Sequence, residues 1–134
     1  MKYYSSLKMY KANNVCFDPN KLEAYSYSWW RFVEKIGNRI IFNNYGYSVS
    51  TRRHQNKVWI LLNNLNINID IKIEAPEGLQ HLGVAREYYN NKIHMLQKEL
   101  LNKKLRKPEI RIDKIKEYSE KVRLICDLIK ERGY

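Results

Sequence analysis

Cysteine is nearly missing from this chain. Its two copies, Cys16 and Cys126, lie far apart, and neither belongs to a C-x-x-C pair. Neither has a histidine close by in sequence, so no zinc site or other metal centre is expected. Two unpaired thiols suit a reducing, intracellular setting better than a disulfide-stapled secreted one. Glycine is scarce, at five residues. None of the five falls in a G-x-x-x-x-G-K-[ST] or G-x-G-x-x-G pattern, which excludes the two common phosphate-cradling loops. The longest unbroken apolar run, Val58–Leu62, is far below the roughly 20 residues a membrane span needs. The opening Met1–Ser6 stretch lacks the apolar core of a secretory signal. The expectation is a cytoplasmic protein with no membrane partner.

Acidic charge is the other deficit. Against 25 Lys and Arg stand 14 Asp and Glu, a net charge of +11. The excess is spread along the chain: residues 1–80 hold 11 basic and 6 acidic groups, and residues 81–134 hold 14 and 8. Such a balance favours polyanionic partners, nucleic acid first and an acidic protein or an anionic membrane next.

What is present is enough for one folded domain spanning 1–134. Of its residues 44% are apolar, and eleven are tyrosines, so a chain this long buries a core without metals or disulfides. No linker or internal repeat interrupts it. The patterning divides it into an α+β part, 1–77, and a helical part, 78–134.

In the first part, residues 1–20 carry weak signals apart from a turn at Asp18-Pro19-Asn20. Leu22–Ile36 is aromatic and strand-like, and Gly37-Asn38 separates it from a second strand, Arg39–Asn43. Together they predict a β-hairpin near 25–43. Trp30, Phe32 and Ile36 fall on one face of its first strand, and Trp29, Arg31 and Val33 on the other, so cover is expected on both sides. A polar loop, Asn43–Ser48, precedes a helix expected over 51–65, capped by Ser48 or Ser50. His54, Val58, Leu61, Leu62 and Leu65 form its apolar stripe, while Arg52, Arg53, Gln55, Asn56 and Lys57 lie mostly off it. Asn66–Ile73 alternates strictly, placing Ile67, Ile69, Ile71 and Ile73 on one face of a strand over 66–73. The fold class is therefore α+β, with a small, mainly antiparallel sheet and one packed helix.

The second part is read as an antiparallel two-helix hairpin over 79–132. Leu79, Leu82, Tyr89, Ile93, Leu96 and Leu100 follow helical spacing, with Arg86 interrupting. Ile115, Tyr118, Val122, Ile125 and Ile129 repeat it. Pro108 rules out one continuous helix, Asp113 is a plausible N-cap for the second, and Gly133 a plausible stop. Glu99–Lys103 and Glu117–Lys121 stand at favourable i,i+4 spacing. The apolar seam faces either the sheet or a second copy, so a homo-oligomer is among the expectations.

Two segments are candidate binding sites. The first is the connection between the two helices. Lys98, Lys103, Lys104, Arg106, Lys107, Arg111, Lys114 and Lys116 are opposed only by Glu99, Glu109 and Asp113. Solvated surface and helix-dipole complementarity explain part of this charge. The other readings are contact with a protein and contact with a polyanion; if the partner is nucleic acid, these side chains neutralise phosphates, with steep salt dependence and little sequence information. The second segment runs from Tyr45 to Lys57. It combines Tyr45 and Tyr47, able to stack on bases, with Arg52, Arg53 and Lys57 beside a hydroxyl-rich helix start. The alternative is a capped amphipathic helix whose tyrosines only pack.

No motif specifies a reaction, and no catalytic residue or cofactor is assigned. A hairpin followed by a helix is the outline of the ββα-metal nucleases. Here Trp29, Trp30 and Phe32 stand where that chemistry needs a base and metal ligands, and His54 lies on an apolar stripe. Asp70, Glu74 and Glu77 form no two-metal cluster. His81 and His94, thirteen residues apart on one expected helix, cannot share a metal ion.

The stretches Tyr27–Val33, Phe42–Ser48 and His54–Val58 resemble small uncharacterised proteins encoded by bacteriophages. The likeness covers about residues 25–80 and transfers no functional residues. It implies a viral accessory role: binding nucleic acid, or binding and inhibiting a host protein, as in host defence. The leading expectation is a non-enzymatic, basic nucleic-acid-binding protein. The alternative is a protein-binding inhibitor acting through its aromatic surface or helical hairpin, and a metal-dependent nuclease comes third.

Overall fold

The computed structural model describes residues 8–12 and 14–133, so the Met1–Ser6 stretch lies outside it. The architecture is α+β. The chain divides into two compact units, 1–81 and 82–134.

The first unit is a six-stranded sheet with one helix. The strands are β1 (Tyr10–Ala12), β2 (Val15–Asp18), β3 (Glu23–Ser26), β4 (Trp30–Ile36), β5 (Arg39–Asn43) and β6 (Ile71–Ile73), and the helix α1 (Val49–Asn64) comes between β5 and β6. The strand order is β1-β2-β3-β4-β5-β6. All pairings are antiparallel except that of β5 with β6. That last one is parallel because α1 supplies the crossover such a pair requires.

Residues 22–36 therefore make two strands rather than one. The chain reverses at Tyr27-Ser28-Trp29, with Tyr27 at φ 57° and Ser28 at φ 69°. Left-handed backbone costs a residue with a Cβ roughly 1–2 kcal/mol, and the three include no Gly, Asn or Asp to ease it. At the next turn Gly37, at φ 61°, supplies the same handedness without that cost. The segment 10–18, weak in sequence, supplies β1 and β2. A register shift near Ala24/Tyr25 sets Phe32 out of step, so that Val33 rather than Phe32 lies opposite Ala24.

Paired residues point to the same side of a sheet. Tyr10, Phe17, Ala24, Val33 and Phe42 thus form a row across five strands. This row lies under α1, whose Val58 and Leu62 are buried against it. Burying those two side chains is worth roughly 1.5–3 kcal/mol each. That is the main tie between helix and sheet, since three Asn and several β-branched residues give α1 little intrinsic helicity.

The strand expected over 66–73 is paired only at Ile71–Ile73. Ile67 and Ile69 pack against the cluster beneath α1. Ile71 and Ile73 point the other way, because Lys72 shares a side with Phe42. Asp70 is exposed yet occupied: its carboxylate accepts the Ile40 N–H at 2.7 Å.

The second unit is the helical hairpin α2 (Leu82–Leu100) and α3 (Pro108–Arg132). Tyr89 of α2 meets Tyr118 of α3 with ring centroids 5.7 Å apart, and Ile125 and Leu128 of α3 are buried. Leu79 and His81, expected within the first of these helices, precede it. Pro108 opens α3 at its first turn, where a missing N–H costs nothing. Asp113, expected as the cap, is therefore inside the helix. Gly133 closes α3 at φ 89°, a left-handed C-cap. Among the described residues no helix is long and apolar enough to cross a membrane.

Candidate nucleic-acid interface

In the first unit, the loop from β5 to α1 is held by two buried amides. Asn43 is fully buried. Its Oδ1 accepts the N–H groups of Tyr45 at 3.1 Å and Ala75 at 2.9 Å, and its Nδ2 donates to Ala75 O at 2.9 Å. Gln55, placed off the apolar stripe by spacing, is also buried. Its Nε2 donates to Asn43 O at 2.7 Å and to Tyr45 O at 3.1 Å. Ser48 caps α1, its Oγ accepting the Thr51 N–H at 3.1 Å. These bonds give the loop one conformation. No sequence pattern reveals them, because the partners lie up to 32 residues apart.

That conformation separates the two tyrosines. Tyr45 is half-buried against the core. Tyr47 is exposed, its ring edge-on to Trp29 and tilted against Trp30. Arg52 donates from Nη2 to Asn44 O at 3.1 Å, and Arg53 is exposed. Lys57 Nζ sits 5.5 Å from the Tyr10 ring centroid. Between Glu34 and Asp70 the chain has no acidic residue at all, so nothing within that stretch neutralises these cations.

His54 is half-buried, with Nδ1 2.6 Å from the fully buried Ser26 Oγ. Thr51 Oγ1 stands 3.5 Å from the same hydroxyl, and the Tyr27 ring lies 5.4 Å from the imidazole. A serine–histidine pair invites comparison with a hydrolase. Here the hydroxyl is out of a substrate's reach, and no carboxylate among the described residues orients the ring. The pair is a structural tie between β3 and α1.

Desolvation by burial lowers the His54 pKa from its ordinary 6.5. Between the folded and unfolded values the unfolded chain binds more protons. Stability is therefore fully present above about 6.5 and is lost as pH falls through the folded value. Thermal melts at about pH 7.5 and about pH 5.5 should show a larger acid loss for the natural chain than for His54→Gln. Equal losses would contradict this account.

In the second unit, the tip of the hairpin carries the charge. α2 ends at Leu100, and the connection turns back through hydrogen bonds from Leu101 N to Lys98 O, Asn102 N to Glu99 O and Leu105 N to Asn102 O. Asn102 Oδ1 also accepts the Lys104 N–H at 3.0 Å. Lys103, Lys104, Arg106 and Lys107 are all exposed. None forms an ion pair with another described residue, and no acidic residue occurs between Leu100 and Pro108. Arg111 and Lys114 are occupied. Arg111 Nε lies 2.8 Å from Glu99 Oε1, and Lys114 lies 3.8 Å from Glu117 and 5.9 Å from the Tyr118 ring centroid. Glu99 turns to Arg111 rather than to Lys103 because Lys103 is beyond the helix end.

Beside this tip an open groove of about 590 Å³ runs between the helices, lined by Tyr88, Lys92, Met95, Leu96 and Tyr118 among others. Among the described residues no group of three or more His, Cys, Asp or Glu is placed to hold a metal ion. Comparison with protein-family models, curated proteins and solved structures gives no match.

Proposed function

We propose that this chain binds nucleic acid without catalysing a reaction on it, taking phosphates at the tip of its helical hairpin. The observation that carries this reading is the set Lys103, Lys104, Arg106 and Lys107: four cations within five positions, exposed, without acidic partners, on a turn fixed by backbone hydrogen bonds. Cations placed only for solubility are commonly interleaved with carboxylates, as they are further along α3. Clustered, unpaired cations repel one another, and a polyanion relieves that repulsion with release of its counterions. Arg52, Arg53 and Lys57 supply further phosphate contacts on α1. An accessory role in a bacteriophage fits this chemistry.

Fluorescence anisotropy with an unrelated DNA duplex tests the reading. Affinity should fall by roughly a hundredfold or more between about 50 and 200 mM salt. No retention of DNA or RNA at low salt would sink it.

A second reading, a protein-binding inhibitor, draws support from the groove of the hairpin and from Met95, Leu101, Ile110 and Ile112, which are exposed beside it or on the same unit. Under that reading one host protein is recovered in stoichiometric amount by the natural chain and not by Met95→Glu. Light scattering on the isolated chain distinguishes self-association.

A further inference from the structure

The hairpin tip has no aromatic ring between Leu100 and Pro108, so it offers no aromatic face on which a base can stack. A surface of the first unit does. The β3–β4 turn holds Tyr27 and Trp29 in solvent, and the β5–α1 loop holds Tyr47. Trp29 is 43% exposed and Tyr47 49% exposed, and the two meet edge to face with centroids 6.0 Å apart.

Neither ring hangs on a loose segment. Behind Tyr47 stands the buried Trp30, 5.7 Å away between centroids, its indole N–H donated to Pro76 O at 2.9 Å. The Trp29 carbonyl accepts from Gln80 Nε2, and Gln80 Oε1 accepts the Arg31 N–H at 3.2 Å. Gly78 makes room for that clamp: a Cβ there would fall onto Gln80 Oε1 and 3.0 Å from Arg31 N. The turn before Trp29 keeps two non-glycine residues in left-handed backbone. These bonds hold the rings outward in fixed positions.

Charge selects the occupant. The Arg52 guanidinium lies against Gly46, one residue before Tyr47, with Nη2 2.9 Å from where a Gly46 Cβ would stand. Arg53 follows it in the same turn of α1. Tyr47, Arg52 and Arg53 lie within the stretch of sequence that has no carboxylate. Apolar rings alone suit many partners. Apolar rings beside guanidinium groups that have no acidic partner among the described residues suit a chain that alternates flat bases with phosphates. Bases in a duplex are stacked on one another and cannot reach such rings, whereas unpaired bases can.

We infer that Trp29 and Tyr47 form a stacking platform for the unpaired bases of single-stranded nucleic acid, with Arg52 and Arg53 on its phosphates. This rests on the nucleic-acid reading above and adds a site and a strand preference to it.

The test compares a labelled oligothymidylate of about 15 nucleotides with a duplex of the same length at one salt concentration. The natural chain should hold the single strand more tightly. Trp29→Ala and Tyr47→Ala should each weaken single-strand binding by roughly five- to a hundredfold and leave duplex binding within about twofold. Trp29→Phe, which keeps a ring, should retain most of the affinity. An unchanged thermal melt in the alanine variants separates lost stacking from lost folding. Unchanged single-strand binding in the double alanine variant overturns the platform, and so does an equal loss on both ligands. If duplex binding survives in that case, only the platform falls. If the natural chain holds neither ligand at low salt, the nucleic-acid reading falls as well.

Discussion

Replacing Lys103, Lys104, Arg106 and Lys107 together by glutamine is expected to lower affinity for duplex DNA by about three and a half orders of magnitude at 0.1 M salt. It should also flatten the plot of log K against log salt by about 3.6, or 0.9 for each phosphate no longer neutralised. Both figures follow from counterion release alone, measured from a reference near 1 M salt, where release contributes little. The four side chains are exposed and form no ion pair with another described residue, so their replacement should leave the thermal melt in place. Arg111→Gln is the informative contrast. Arg111 is already engaged by Glu99, so its loss should change the salt slope by much less than one neutralised phosphate. A quadruple variant that binds with the same slope would show that the hairpin tip does not meet the phosphates.

The second large effect concerns stability. Asn43→Leu keeps about the same volume and removes both ends of a buried amide. Tyr45 N, Ala75 N and Ala75 O then lose their partners at a fully buried position. An unsatisfied buried group costs about 1–3 kcal/mol, so the loss should be about 4 kcal/mol or more. That is a large part of the about 5–15 kcal/mol by which a domain is stable. For a unit of this size the melting temperature should fall by about 20 °C. Urea unfolding that places the loss below about 1 kcal/mol would mean the loop is held by something other than this amide.

The local signals in the sequence carry a good part of this fold. The Gly37-Asn38 turn, the Ser48 cap, Val58 and Leu62 on the buried side of α1 and the Gly133 stop each depend on residues within a few positions of one another. Spacing and side-chain chemistry are enough to read them. What escapes such reading is set at long range or against local preference. Tyr27 and Ser28 adopt left-handed backbone that their side chains disfavour, so residues 22–36 look like one strand. Gln55 and Asn43 are polar residues whose buried partners are in other segments. Ile67, Ile69, Ile71 and Ile73 alternate faithfully, yet the sheet accepts only the last two. Pro108 reads as a barrier and acts as a helix start.

The candidate site divides in the same way. The basic residues between the two helices are visible as composition, and so are Arg52, Arg53 and Lys57. Which of them are already paired is a matter of geometry, as Arg111 with Glu99 and Lys114 with Glu117 illustrate. Which of Trp29 and Trp30 is the surface ring escapes such reading, because the chain turns at Tyr27–Trp29 where a continuous strand is expected. Tyr45 and Tyr47 look equivalent in sequence, and only the bonds of Asn43 and Gln55 make one a core ring and the other a surface ring.

The order of the strands has a kinetic consequence. Every strand in the sheet lies beside its neighbour in sequence. Each antiparallel pairing closes a loop of only a few residues, and such loops cost little entropy. Only β6 must wait, because α1 has to form before the crossover is complete. A sheet of this kind can grow one strand at a time as the chain leaves the ribosome, each new strand finding a finished edge. Contacts so local place the first unit at the rapid end of the range for sheet proteins, and the growing edge is exposed for only a short time.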